Sequence, residues 1–539
     1  MSRPSGIDDT SNVAPPYAGV DLFLSDRPLR EAVAANGAGA PASMAALSAF
    51  GRHWGSAEMA QQAREANRNA PALKNDIVEF DPAYHHFMRE SMSAGLHAMT
   101  WQGDGSAAPP PAEVARAARF YMVAQVENGH MCPVTMTRAS IAALASAPSL
   151  LARIMPKISS HSYDPRVLPW EQKTSITIGM GMTERQGGTD VRANVTRAVR
   201  TSEAYALDGH KWFMSAPMSD AFLVLAHAPG GLTCFFMPRL RPDGGINGLR
   251  FRALKDKLGN RSNASSEVEF EDAQAWAVGG EGEGIRTILR MVQMTRLDCS
   301  ISSAGIMRMA LAQAIHNARY RSVFQKKLID QPMMRAVLAD MALEAEGAVA
   351  VVMRLCRAFD HASDMAESAR ARLLTPAVKY WVCKTAPALV YEAMECLGGN
   401  GYVEDSVLPR LYREAPVNAI WEGSGNVMAL DVLRAFRRDD GRSVVEMLAR
   451  EARDVAGTTA ASGIFDILDD PRTEGRARIA VERLAHLAAA AALAAANPEV
   501  AEIFARNRLG LMRGATYGAV LMGENDVARL LERAMPPLF

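Results

Sequence analysis

The sequence predicts a mainly α-helical protein with an inserted β-domain, and two changes in hydrophobic period carry that expectation. From about Ala32 to Leu168 apolar residues recur three and four apart, as in Val114-Ala-Arg-Ala-Ala-Arg-Phe-Tyr-Met-Val-Ala, which is the spacing of an amphipathic helix. Between Lys173 and about Val278 the period drops to two. Ser175-Ile-Thr-Ile, Ala221-Phe-Leu-Val-Leu, Thr233-Cys-Phe-Phe-Met and Glu267-Val-Glu-Phe read as short strands separated by glycine, proline or asparagine. Helical spacing returns from Gly284 to about Arg438, punctuated by Gly398-Gly-Asn-Gly and by Pro409 and Pro416. The run Arg437-Arg-Asp-Asp-Gly then opens an alanine-rich helical remainder. These changes divide the chain into a helical N-terminal domain (1–172), a middle β-domain (173–283), a C-terminal helical bundle (284–438) and an extra helical domain (439–539).

At 539 residues the chain is too long for one hydrophobic core of ordinary size, so three or four domains are expected. With 59 basic and 59 acidic residues the formal charge is zero, and no global electrostatic partner is implied. The six cysteines form neither a Cys-x-x-Cys pair nor a metal-ligand spacing, so they read as reduced thiols and no metal is expected. The polar start from Met1 to Gly19 has no apolar core of a secretory signal. The apolar run from Leu484 to Ala496 falls short of the roughly 20 residues of a membrane helix. A cytoplasmic protein without a membrane partner is the expectation.

Three stretches carry chemistry. Gly179-Met-Gly-Met-Thr-Glu-Arg-Gln-Gly-Gly-Thr-Asp follows a strand expected at Thr174 to Ile178, and amides freed by Gly187 and Gly188 could approach a phosphate. The same pattern also suits a plain turn. Leu207-Asp-Gly-His-Lys-Trp-Phe-Met-Ser reads as a hairpin turn at Asp208-Gly209 entering an aromatic strand, where Trp212 could cover a planar ring or fill a core. In Ile420-Trp-Glu-Gly-Ser-Gly-Asn-Val-Met, apolar spacing starts at Val427 and Ser424 can cap a helix. Glu422 then stands beside a helix N-terminus, whose dipole favours an ionised carboxylate, either as a base or as a surface complement to the dipole.

These stretches, with Arg321-Ser-Val-Phe324 and Leu397-Gly-Gly-Asn-Gly-Tyr402, resemble the motifs of acyl-CoA dehydrogenases in order and spacing from about 180 to 434. The resemblance implies that family's fold: a helical N-terminal domain, a β-barrel-like middle domain and a helical bundle, here with the extra C-terminal helical domain. It implies FAD as cofactor. Met182, Thr183, Gly188 and Thr189 would line the flavin or its phosphates, while Trp212, Phe213, Met214 and Ser215 would meet the isoalloxazine. Arg321 and Phe324 would reach FAD across a subunit boundary in a homotetramer built as a dimer of dimers. Ile420, Glu422, Gly423 and Asn426 would complete the site, with Glu422 as catalytic base and Arg434 as an arginine near it. In the implied reaction, Glu422 takes the α-proton of an acyl-CoA thioester and the β-hydrogen leaves as hydride to the flavin. Two departures stand out: Gln325 replaces the family's glycine after Phe324, and Glu395 replaces a glutamine before the Gly-Gly pair.

The wording of Gly179 to Glu184, Leu254-Lys-Asp-Lys-Leu-Gly-Asn-Arg-Ser-Asn-Ala-Ser and Trp421 to Asn426 is similar to a branch of that family associated with the adaptive response to alkylation damage. That likeness implies double-stranded DNA binding by the extra domain. After Asp440 the chain has twelve arginines, no lysine and thirteen acids, a net charge of −1. A DNA site would then be a local patch, with Arg476, Arg478 and Arg483 or Arg506, Arg508 and Arg513 as candidates. The alternatives are an acyl-CoA dehydrogenase of fatty-acid or branched-chain catabolism without DNA function, and a flavoprotein or flavin-free relative that keeps the motifs only for packing.

Overall fold

The computed structural model describes residues 12–438, 440–457, 460–470, 472–510 and 514–535. The N-terminal part comprises α1 (Arg27–Val33), α2 (Pro41–Trp54), α3 (Ala57–Arg68), the hairpin β1 (Ala72–Lys74) and β2 (Ile77–Glu79), α4 (Pro82–Ser93), α5 (Ala112–Ala124), α6 (Met131–Leu144) and α7 (Pro148–Ile158). Start signals are local. Asp26, Ser56 and Asp81 accept from backbone amides in the first turn of α1, α3 and α4, and Pro41 and Pro82 stand at the head of α2 and α4.

The β-domain holds β3 (Ile178–Gly181), β4 (Arg197–Arg200), β5 (Tyr205–Ser215), β6 (Ala221–Ala228), β7 (Gly231–Pro238), β8 (Leu249–Leu254) and β9 (Ser265–Val278). Its strand order is β3-β6-β4-β5-β9-β7, and β7 also pairs with β6, so the sheet closes on itself. Phe222, Val224, Phe235 and Met237 point into the barrel with Leu207, Met214 and Phe270. Leu223, Leu225, Cys234 and Phe236 point outward onto α6 and α7. Burial on both faces is why β6 and β7 are continuous apolar runs while β8 alternates.

Two strand expectations shift. The first strand is Ile178–Gly181 rather than Thr174 to Ile178, because Thr177 and Asp220 tie the start of β3 to the start of β6, its parallel partner. Asp208-Gly209 is not a hairpin turn. It lies inside β5 at a register shift against β9, where Gly209 (φ 149) sits so close to Thr196 that a Cβ would meet its backbone. The bulge takes the residues that a tight turn would also favour.

The second helical part comprises α8 (Gly284–Tyr320), the short hairpin β10 (Ser322–Val323) and β11 (Lys326–Lys327), α9 (Pro332–Asp360), α10 (Met365–Leu397), α11 (Gly399–Tyr402), α12 (Leu408–Asn418) and α13 (Gly425–Arg438). Then follow α14 (Gly441–Glu451), α15 (Arg453–Ala456), α16 (Ser462–Leu468), α17 (Ala477–Ala496), α18 (Pro498–Phe504) and α19 (Glu524–Ala534). The extra segment does not build a core of its own. One apolar core runs from Leu22 through α8, α9 and α10 to Met535, with α17 packed on α9 and α10 and α19 on α9. The segment Glu474–Ala496 is long and apolar enough to cross a membrane by length and composition, yet 67% of its 18-residue apolar stretch is buried inside the protein.

Candidate active site

Glu422 stands in the turn between α12 and α13, and α13 starts at Gly425 as the apolar spacing predicts. Ser424 takes the capping position, its carbonyl accepting from Met428 N at 2.9 Å. The turn is tight: Glu422 itself has φ 58 and Gly423 has φ 111. A glutamate in the left-handed region persists only where its surroundings hold it. Here Arg296 Nε on α8 donates to the Glu422 carbonyl at 2.9 Å, and Lys379 Nζ on α10 donates to the Gly423 carbonyl at 2.9 Å. Arg296 is fixed in turn by Asp431 on α13 at 2.7 Å, and Asp431 also receives Arg372 at 2.8 Å.

Both cations therefore grip the main chain rather than the carboxylate. Glu422 Oε2 is sealed from solvent and has no hydrogen-bond partner among the described residues, although the residue as a whole is only partly buried. Burial raises its pKa above the ordinary glutamate value, against the opposing pull of Thr295, Arg296 and Lys379. The helix-dipole argument for an ionised carboxylate is thus outweighed by desolvation. The Glu422 charge acts on two thiols, Cys132 and Cys299, and Cys132 also interacts with the Ser215 and Asn263 side chains and feels the charge of Lys257. Burial pushes the Cys132 thiol up to about 12 and brings Lys257 down to about 8.

The glycine loop after β3 is held from inside. Glu184 pairs with Lys211 at 2.7 Å, both fully buried, and accepts from Val195 N at 2.7 Å and Thr196 Oγ1 at 2.6 Å. Thr183 accepts Trp212 N on its carbonyl at 2.8 Å, which fastens the loop to β5. Gly188 packs against the Thr183 side chain so closely that a Cβ would meet Oγ1 at 2.5 Å. Gly188 and Thr189 are exposed, and Met182 and Thr183 are half-buried.

On β5 the alternation sorts the aromatic stretch. Phe213 is 50% exposed and Ser215 half-buried, its hydroxyl 3.0 Å from that of Ser265. Met214 points into the barrel core, fully buried, so only its main chain is available to a ligand. The Trp212 ring carries Lys255 Nζ at 3.4 Å from its centroid and the Arg185 guanidinium at 4.7 Å. A planar ring stacking on that face has to displace the lysine.

Arg321 and Phe324 belong to the β10–β11 hairpin, away from the turn. Arg321 donates to the Asn12 carbonyl at 3.1 Å. Phe324 and Gln325 form the hairpin tip with φ 52 and 62, and Phe324 is 92% exposed. A two-residue tip with both φ positive favours glycine at its second position, so Gln325 is a strained occupant. Glu395 is exposed at the end of α10, and Ile420 is 65% exposed.

The arginines divide sharply. Arg434 lies on the exposed side of α13, while the arginine that touches the Glu422 main chain is Arg296. Arg508 cannot contact DNA: its guanidinium is fully buried, bound to Asp340 and Glu344 at 2.5 Å each. Arg506 pairs with Asp526 at 2.7 Å and Arg476 pairs with Asp470. Arg478 turns toward the base turn, donating to the Asn426 side chain at 2.9 Å. Arg483 is exposed, and Arg513 lies outside the described residues. Arg296, Lys379 and Glu184 do not stand out in the sequence. Each is a charged residue at an apolar-periodic position, a signal shared by Arg116, Arg138 and Asp298, whose roles are structural.

This fold, two helical parts around a β-barrel with a carboxylate in a strained turn between two helices, defines an acyl-CoA dehydrogenase architecture. The AidB N-terminal domain, described as that of an adaptive response protein, matches residues 12–165, and the acyl-CoA dehydrogenase middle and C-terminal domains match residues 179–273 and 282–436. The chain belongs to the acyl-CoA dehydrogenase family, in its AidB-like branch. It is 49% identical over 459 residues, 82% of each chain, to the putative acyl-CoA dehydrogenase AidB of Escherichia coli. Among solved structures it is similar to Caenorhabditis elegans ACDH-11 in complex with C11-CoA, with TM-score 0.85, 24% identity and 95% of each chain covered. It is also similar to an acyl-CoA dehydrogenase complexed with FAD from Bacillus anthracis, with TM-score 0.66, 15% identity and coverage of 84% of this chain and 83% of that one.

Proposed function

We propose that the protein is an FAD-dependent oxidoreductase in which Glu422 removes the α-proton of an acyl-CoA thioester. The observation that carries this reading is the Glu422 carboxylate: sealed, with one oxygen unpartnered, and held in a strained turn by two cations that bind its main chain. A buried carboxylate without a hydrogen-bond donor is costly unless a ligand or proton uses it. Its raised pKa brings it toward the working pH, where a general base transfers protons most effectively.

The residues fit FAD. Gly187 exchanges both main-chain hydrogen bonds with Glu184, which leaves the exposed main chain of Gly188 for a phosphate, and the loop that carries it is pinned by the Glu184–Lys211 pair. Arg185, in the loop itself, places positive charge beside it, whereas Lys255 is paired with Glu267. When bound, FAD supplies the acceptor for the two electrons that leave the substrate. The chain's own part is to hold Glu422 in place, keep water from Oε2 and receive the proton there. Arg321 and Phe324 serve FAD in a second copy of the chain, within a homotetramer. The support for this is a phenylalanine 92% exposed on a strained hairpin tip. A reducing cytoplasm suits six cysteines that are all free thiols.

The purified protein is expected to take up FAD and turn yellow, and acyl-CoA thioesters are expected to bleach it. A Glu422→Gln variant should bind FAD and not bleach, with the rate lowered roughly 10²–10⁴-fold. Equal bleaching by the variant would remove Glu422 as the base.

A second reading, double-stranded DNA binding in the response to alkylation damage, is favoured by exposed arginines that have no partner among the described residues: Arg434, Arg437, Arg453 and Arg483. Deleting the extra segment would open the shared core, so charge reversal is the better probe. Arg453→Glu with Arg483→Glu should weaken binding and flatten its salt dependence by about one unit of slope per lost phosphate contact. Unchanged slope and affinity would count against DNA binding at this surface.

A further inference from the structure

A cavity of about 380 Å³ lies at the end of the barrel where β3 and β6 begin and β7 ends. The glycine loop that follows β3 leaves the opposite end of that strand, while Ala216, the residue after Ser215 at the end of β5, lines the cavity. Its roof is the β1–β2 hairpin with α4, and its mouth is rimmed by the exposed Ile77, Arg166 and Val167.

The floor holds Arg239, which is 4% exposed. Its only side-chain hydrogen bond among the described residues runs from Nε to the Ser219 carbonyl at 3.2 Å, and it forms no ion pair there. A guanidinium carries five N–H donors and is costly to bury without an acceptor. The carboxylate beside it, Asp220, is already spent: one oxygen takes Lys173 Nζ at 2.6 Å and the other takes Thr177 N at 2.9 Å. Asp164 is committed to Arg166 at 2.7 Å. Lys173 and Asp220 cancel, so the Arg239 charge is left over inside the cavity.

The walls above it are apolar and aromatic. Phe80 stacks on Tyr84 with centroids 4.1 Å apart, and Met88 and Met218 complete that side. Tyr163 closes the far side, its hydroxyl tied to His85 Nδ1 at 2.8 Å.

We propose that this cavity is a binding site for a small carboxylate with an apolar or aromatic body, the carboxylate received by the free amino groups of Arg239. A planar oxyanion matches the guanidinium fork, and the aromatic walls select a carboxylate with a hydrophobic body over a bare anion. The volume, at the lower end of small-ligand pockets, admits a molecule of roughly ten to fifteen non-hydrogen atoms.

The test uses the full, flavin-loaded chain and 3-phenylpropionate as probe, followed by calorimetry. The acid should bind at least tenfold more tightly than 3-phenylpropionamide, and at least tenfold more tightly than inorganic phosphate. Arg239→Gln should weaken the acid tenfold or more and leave the amide unchanged. If that variant does not fold, crystals of the unaltered protein soaked in 3-phenylpropionate decide: the carboxylate should lie within hydrogen-bond distance of Arg239. Equal binding of acid and amide, phosphate matching the acid, no binding at 10 mM, or density only elsewhere would each overturn the proposal.

Discussion

Two buried carboxylate sites share helix α8 and differ in where their cations point. Asp298 receives Arg116 through two bonds of 2.7 Å and Arg138 at 3.3 Å, with Thr135 Oγ1 at 2.8 Å. Burial alone would raise its pKa, yet the two guanidinium groups hold it below the usual aspartate value. Two residues earlier on the same helix, Arg296 faces Glu422 and gives its donors to a carbonyl and to Asp431. The Glu422 carboxylate consequently stays raised and half unpartnered. The same residue types thus build a strut in one place and leave a carboxylate oxygen available in the other. The difference is whether the cation saturates the carboxylate or only the chain that carries it.

The strut is the first place to break that comparison, and the largest effect on stability is expected there. Asp298→Asn leaves Arg116 and Arg138 buried with one carboxylate, Glu113, between them. Losing one member of a buried ionic cluster costs about 3–5 kcal/mol, read as a lower urea midpoint. Any assembled site should keep its FAD affinity and its proton-abstraction rate. If Asp298→Asn instead lowers the rate at full stability, Asp298 belongs to the base and the distinction fails.

Arg296→Gln is the sharper probe and the smaller effect. It removes a cation that lowers the Glu422 pKa, so the acidic limb of the pH–rate profile should move to higher pH. It also loosens a strained turn, and a displacement on the order of 1 Å can cost roughly 10²-fold in rate. A lowered rate with an unmoved limb would mean that Arg296 acts only on geometry.

How much of this is legible in the sequence follows from the range of each interaction. The strands between Ile178 and Val278 rest on local periodicity and the onset of α13 at Gly425 on the Ser424 cap, so both can be read directly. Glu422 can be placed because its turn lies against a helix start. The cations that tune it cannot, since Arg296 and Lys379 are 126 and 44 residues from the carbonyls of Glu422 and Gly423 that they hold, and come from helices whose faces depend on tertiary packing. The Asp208-Gly209 bulge reads wrongly as a turn because β5 meets β9 across more than 60 residues, and the turn signal is purely local. Arg508 misleads for the converse reason. An arginine in a polar run near the chain's end looks exposed until Asp340 and Glu344, both on α9, are seen to enclose it.

The smallest effect concerns Arg533 on α19, which joins Glu31 on α1 at 2.6 Å and also binds Glu346 on α9. Burial would raise the Glu31 pKa, but the hydrogen bonds from Arg533 and Arg27 outweigh it and bring it down to about 2. A depressed carboxylate contributes stability above its ordinary value of 4.5 that is lost as pH falls toward about 2. Glu346 is raised by burial despite the same guanidinium, so its contribution runs the other way and is gained as pH falls. The net slope is therefore shallow, and the difference between the unaltered protein and Glu31→Gln isolates it. Protection of the α19 amides, relative to their intrinsic exchange rate, should fall between about pH 4.5 and about pH 2 in the unaltered protein, a window set by those two pKa bounds. In Glu31→Gln protection should already be low above pH 4.5 and change less as pH falls. Identical pH dependence in the two would mean that Arg533 is anchored by Glu346 alone, and that a lowered pKa does not by itself identify a carboxylate that fastens one helix to another.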